Sequence, residues 1–133
     1  GLSQLKRLDA NITQRTKNFI KFLKKIDSNK YRTNFKIEGS SNYAFNLILK
    51  KPDKKLLKKL INNLEEHDIE FRLGSAGGGN QLRQPYLKKY IHKNEYLNHK
   101  ETEHIHFYGM YIGNYPSLSK SKILKLCKII NST

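Results

Sequence analysis

Large apolar residues recur along this chain first at three- and four-residue steps and later at alternate positions, so helices and strands follow one another. Over residues 3–27, Leu5, Leu8, Ile12, Phe19, Phe22, Leu23 and Ile26 share one stripe, with Lys6, Arg7, Arg15, Lys17, Lys21, Lys24 and Lys25 between them. That pattern predicts one long helix with a buried apolar face and a basic outer face. Residues 28–41 are polar and follow neither period; they read as a connection with room for a short strand at 35–37. Tyr43, Phe45, Leu47 and Leu49 stand at alternate positions, the mark of a half-buried strand. Pro52 and Asp53 suit the first turn of a helix whose inner face is Leu56, Leu57, Leu60, Ile61 and Leu64, ending near 67–68. Ile69, Phe71 and Leu73 alternate again. Strand, helix and strand in that order form a β-α-β unit, although the sequence does not say whether its strands are neighbours.

Gly74-Ser75-Ala76-Gly77-Gly78-Gly79-Asn80 reads as a loop, residues 81–91 as a place for a short helix after Pro85, and 94–102 as exposed. Ile105, Phe107, Tyr108, Met110, Tyr111 and Ile112 fill residues 104–112, which predicts a largely buried strand. Gly113-Asn114-Tyr115-Pro116 turns the chain, and Ser119 offers a cap for a last helix carrying Ile123, Leu124, Leu126, Ile129 and Ile130. The expected fold class is α+β, a small sheet of three to four strands covered by helices and preceded by a long N-terminal helix. One domain is expected over residues 1–133, divided into a connecting helix at 1–27 and an α+β body at 43–133.

A chain of 133 residues buries a core without disulfides or metal. It contains no apolar run near the roughly 20 residues of a membrane span, and residues 1–4 open no signal peptide, so the expectation is a soluble cytoplasmic protein without a membrane partner. The formal charge of +15 raises the possibility of a small basic nucleic-acid-binding protein. Against this, 21 lysines face only 5 arginines, while Asn and Ile stand at 13 each, a joint bias that an AT-rich genome produces without selection for binding. Base readers favour the arginine fork. Solvated basic surface is therefore the weightier reading, and nucleic acid is not an expected partner. The lone cysteine, Cys127, excludes an internal disulfide and sits among apolar residues as a buried thiol.

The segment from Gly77 to Pro85 carries the most chemistry, because dense glycine lets backbone N–H groups approach an anion while Asn80, Gln81, Arg83 and Gln84 supply side-chain donors. It is neither a Walker loop nor a dinucleotide fingerprint. His104 and His106 would share one side of a strand, a spacing that can bind metal, yet only Glu101 or Glu103 stands near as a third ligand, so no metal site is assigned. No Ser-His-Asp or Cys-His arrangement is legible, and no catalytic residue is expected in this chain.

Phe71-Arg72, the run Gly78-Gly79-Asn80-Gln81-Leu82-Arg83-Gln84-Pro85 and the run Tyr108-Gly109-Met110-Tyr111-Ile112-Gly113-Asn114-Tyr115-Pro116 together resemble the C-terminal region of DegT/DnrJ/StrS-type enzymes. The opening Gly1-Leu2-Ser3-Gln4-Leu5-Lys6-Arg7-Leu8-Asp9 is similar to the stretch where that family's large domain hands over to the small one, and 40–45 to the small domain's first strand. The resemblance implies the C-terminal small domain of a fold-type-I, aspartate-aminotransferase-like enzyme that depends on pyridoxal 5'-phosphate or pyridoxamine 5'-phosphate. It implies action on nucleotide-linked 4-keto-6-deoxy sugars, by amino transfer or 3-dehydration, in deoxysugar, lipopolysaccharide or surface-glycan biosynthesis. It further implies a homodimer, with the cofactor and its lysine, or the histidine replacing that lysine, in the large domain, so that this chain alone is not expected to be active; an inactive interaction module stands as an alternative beside the small basic nucleic-acid-binding protein. Substrate contacts fall on Arg72, Asn80, Gln81, Arg83 and Gln84, and no cofactor-binding residue is assigned.

Overall fold

A computed structural model describes residues 2–133, with side chains from residue 4 onward. Gly1, the start of the expected hand-over from a preceding domain, lies outside the described residues. The N-terminal stripe forms two helices rather than one: α1 (Leu2–Leu5) and α2 (Leu8–Leu23), separated by a turn at Lys6 and Arg7. The break falls where the stripe has no core to meet, since Leu5 is 64% and Leu8 43% exposed, whereas Phe19 and Phe22 are buried. Without tertiary packing a short helix is marginal.

Strand β1 (Ala44–Ile48) follows a connection in which no strand forms at 35–37; Phe35 and Ile37 instead pack against the core from irregular backbone, and Tyr31 makes a single bridge to Leu49. Helix α3 (Lys54–Glu66) starts as expected, with the Asp53 carboxylate accepting from Leu56 N–H at 2.9 Å. It stops in a Schellman-type turn: Asp68 takes φ 53° and Ile69 N–H donates to Leu64 C=O at 2.9 Å. Strand β2 (Phe71–Leu73) ends the β-α-β unit.

The largest departure lies at 100–113. Helix α4 (Lys100–Tyr108) occupies most of the expected strand, and only its end forms β3 (Gly109–Gly113). Ile105 is 40% and Phe107 47% exposed, so those apolar positions do not belong to a buried strand, and Glu101 and Glu103 complement the helix N-terminus. Helix α5 (Lys120–Asn131) closes the chain, capped by Ser119, which accepts from Lys122 N–H.

The sheet has three strands in the order β1-β3-β2, both pairings antiparallel, so the two strands of the β-α-β unit run parallel with β3 between them. Register lines up Phe45, Ile112 and Phe71 in one row and Leu47, Met110 and Leu73 in the next, on the face covered by helices. Alternation puts Asn46, Tyr111 and Arg72 in a row on the opposite face. Phe22 stacks on Phe45 with ring centres 4.6 Å apart, fixing α2 to the sheet, and α5 packs between α2 and α3 through Ile123, Cys127 and Ile130. Among the described residues no helix is long and apolar enough to cross a membrane.

A buried polar knot joins α2 to the two loops at the sheet's end. Asn114, 1% exposed, donates through Nδ2 to the carbonyls of Arg15 (2.9 Å) and Asn42 (2.8 Å), and its Oδ1 accepts from Asn18. Gly113 ends β3 and the turn falls beyond it, at Pro116 and Ser117; Asn114 is an asparagine saturated by the fold itself.

Candidate functional site

The glycine loop leaves β2 and is pinned against α4. Gly77, Gly78 and Gly79 all adopt positive φ, and Gly79 also lies so close to α4 that a Cβ there would stand 2.1 Å from His106 Nδ1. No residue with a side chain fits. This approach lets Asn80 N–H donate to His106 Nδ1 at 3.1 Å. The Asn80 side chain, in a residue only 2% exposed, accepts from Leu82 N–H and donates to Glu103 Oε2 at 2.8 Å. Glu103 also accepts from Arg83 through both Nε and Nη2, and the guanidinium lies over the rings of Tyr96 (4.2 Å) and Phe107 (4.9 Å). The hydrogen bond from Arg83 holds Glu103 below the usual carboxylate range, and the same bond raises Arg83 further above its own.

The remaining amides close the loop on itself: Gln84 donates to Gly78 C=O at 2.6 Å, Gln81 to Gly77 C=O at 3.5 Å, and Tyr86 O–H to Gln81 Oε1 at 2.5 Å. Arg83 faces outward onto an open cleft of about 620 Å³ that it shares with Lys88, His92, Lys93 and Tyr96. Four of the five expected contact residues, Asn80, Gln81, Arg83 and Gln84, therefore share one structure. Arg72 does not join them; it lies on the uncovered sheet face, its guanidinium 3.5 Å from Glu70.

That sheet face forms a second cleft, of about 370 Å³, lined by Arg15, Tyr43, Glu70, Phe71, Arg72, Tyr111, Gly113, Asn114 and Tyr115. Tyr43 and Tyr111 meet edge to face with centres 6.2 Å apart. Gly113 leaves room for the Tyr115 hydroxyl, which would lie 2.9 Å from a Cβ at that position. Sequence reading missed Glu103, His106, Tyr96 and Phe107 around the loop and Arg15 and the tyrosines around Arg72. It placed His104 and His106 together on a strand; on α4 they diverge, His104 Nε2 meeting Leu49 C=O at 2.6 Å and His106 meeting Asn80. Among the described residues no three His, Cys, Asp or Glu side chains form a metal-holding group.

Comparison with known proteins matches residues 1–131 to the DegT/DnrJ/EryC1/StrS aminotransferase family. GDP-4-keto-6-deoxy-D-mannose 3-dehydratase from Escherichia coli O55:H7 is 31% identical over 116 residues, which cover 86% of this chain and 29% of that protein. The Escherichia coli GDP-4-keto-6-deoxy-D-mannose-3-dehydratase solved with bound hydrated PLP superposes with a TM-score of 0.78 at 29% identity, over 98% of this chain and 33% of that one. A structure assigned as a sugar aminotransferase of Streptococcus pneumoniae, in its PMP form, shares the fold with a TM-score of 0.77 at 12% identity, over 99% of this chain and 33% of that one. The chain thus spans about a third of the length of these relatives. Among the described residues every lysine is exposed or half-exposed, so none sits in the enclosed, desolvating pocket that a cofactor-bearing lysine needs.

Proposed function

This chain belongs to the DegT/DnrJ/EryC1/StrS aminotransferase family, and on that premise we propose that it is the C-terminal small domain of a PLP-dependent enzyme acting on a nucleotide-linked 4-keto-6-deoxy sugar. The observation that carries the reading is the 31% identity to a GDP-4-keto-6-deoxy-D-mannose 3-dehydratase over most of the chain. The same likeness favours the 3-dehydratase branch over amino transfer, since the aminotransferase neighbour, at 12% identity, supports the fold alone. The cofactor, when bound, supplies the electron sink. It sits mainly in the rest of the enzyme, and the partner of this domain is the large domain, within a homodimer.

The part played by this chain is to bind and to enclose. Arg83, held flat by Glu103 and two rings, offers its outer edge beside Lys88 and Lys93 to phosphate or sugar oxygens. Asn80 and Gln84 support it by shaping the loop, because their amide groups already bond within it. Gln81, exposed at the surface of the loop, is tied to Gly77 and Tyr86.

The test is made on the complete native protein, given GDP-4-keto-6-deoxymannose and glutamate. Loss of the sugar's 3-hydroxyl without retained nitrogen supports the dehydratase, an amino sugar supports the transaminase branch, and no turnover of keto-sugars of this class overturns the reading. Arg83→Ala should raise KM for the nucleotide-sugar at least tenfold, about 1.4 kcal/mol of binding; an unchanged KM removes Arg83 from the site.

A further inference from the structure

The cleft around Arg15 and Arg72 is rich in donors that nothing in the fold uses. None of the Arg15 guanidinium nitrogens has a hydrogen-bond partner among the described residues, and its Nε has no access to solvent either. The hydroxyls of Tyr43, Tyr111 and Tyr115 are likewise unpartnered there. Buried donors are paired in the great majority of native structures, so the Arg15 Nε, buried without an acceptor, requires a reason. The backbone that carries it is fixed: Asn114 donates to the Arg15 carbonyl, and Asn18 and Gln14 bond in the same turns of α2. Two cations stand against one carboxylate, Glu70, which is itself largely in solvent and 3.5 Å from Arg72.

We propose that this cleft binds an oxyanion, a phosphate or carboxylate group, between Arg15 and Arg72, with the tyrosine hydroxyls as further donors and the tyrosine rings against the body of the ligand. The proposal rests on the cleft's own groups and holds whichever reaction the complete enzyme performs. Glu70 acts as the competitor that an arriving anion displaces from Arg72.

The experiment is an NMR titration of the full 133-residue chain, read at the arginine Nε–H signals, with inorganic phosphate and pyrophosphate in one arm and glutamate in the other. Saturable shifts at Arg15 and Arg72 together, with Arg83 lagging, support the site; the arm with the lower Kd identifies phosphate or carboxylate as its ligand. Arg15→Met and Arg72→Met should each weaken that Kd at least tenfold, and Glu70→Gln should tighten it severalfold. Arg72 is mostly exposed, so its variant keeps the fold and the test stays decisive if Arg15→Met does not. Shifts that fail to saturate, or a Kd unchanged in Arg72→Met, would overturn the proposal.

Discussion

The glycine loop and the uncovered sheet face both carry arginine and tyrosine, in opposite states. Around the loop each arginine and amide side chain has a partner: Arg83 with Glu103, Asn80 with Glu103 and Leu82, Gln84 with Gly78. On the sheet face Arg15 and three tyrosine hydroxyls have none. Polar groups that satisfy one another rigidify a shape, whereas polar groups kept unpaired stay available to a ligand. The loop should therefore answer to mutation through stability as well as through the ligand edge of Arg83, and the sheet face through binding.

The largest effect that would sharpen this contrast is at Gly79. A Cβ there stands 2.1 Å from His106 Nδ1 and 2.8 Å from Ser75 Cα on a backbone with φ 58°, so relief requires the loop to lift off α4. Gly79→Ala should cost about 3 kcal/mol in denaturant unfolding. Gly77 has a similar φ of 69° but open space around it, and Gly77→Ala should cost only about 1 kcal/mol. Equal costs would mean that backbone angle, not the packing on α4, sets the loop.

Next comes Glu103, on which Arg83 and Asn80 converge. Glu103→Ala leaves both donors without their acceptor in a half-buried place, a loss of about 2 kcal/mol. The sign of its pH dependence follows from the Arg83 hydrogen bond, which lowers the folded-state pKa. The unfolded chain then binds the Glu103 proton more tightly, so the contribution is complete above the unfolded value of about 4.3 and is lost as pH falls through the lower folded one. Unfolding curves of Glu103→Gln should be flatter than those of the parent between those two points; identical acid limbs would show that the pair is too solvated to matter.

Much of the frame was legible because its signals are local. Asp53 and Ser119 announce their helices one residue ahead, and Phe45, Leu47 and Leu49 alternate as a strand must. The glycine run also announced a loop with polar chemistry. What supports that loop was not legible, because Asn80 and Arg83 meet Glu103 across more than a helical repeat of intervening chain, and charge alone does not choose between Glu101 and Glu103. The reading of 104–112 failed for a related reason: an apolar run broken by histidine fits either period, and only exposure of Ile105 and Phe107 distinguishes them. Arg15 was one basic residue among seven on the first stripe, and nothing in that stripe marks the one whose carbonyl Asn114 holds from 99 residues away.

Smaller effects are expected on the sheet face, and their sign is the informative part. Arg15→Met removes an unpaired guanidinium while keeping its aliphatic stem, and should stabilise the chain by about 1 kcal/mol, since replacing poorly compensated charge by an apolar isostere is often favourable. A destabilised Arg15→Met would show that the guanidinium holds the fold after all, and the contrast between the two regions would fail there.

The smallest change is expected at Arg72, whose contact with Glu70, at 3.5 Å between two exposed side chains, is of the kind that contributes almost nothing. Arg72→Ala should therefore move the unfolding free energy by less than about 0.5 kcal/mol, while Arg83→Ala, made on the stitched side of the molecule, moves it several times further. Thermal or denaturant unfolding of the two variants side by side isolates the point, because residue type and formal charge are the same in both. If they shift stability equally, the pairing seen around Glu103 has no energetic weight; if only Arg83 does, that arginine both ties the loop through Glu103 and presents its outer edge to the cleft, whereas Arg72 has no part in holding the fold.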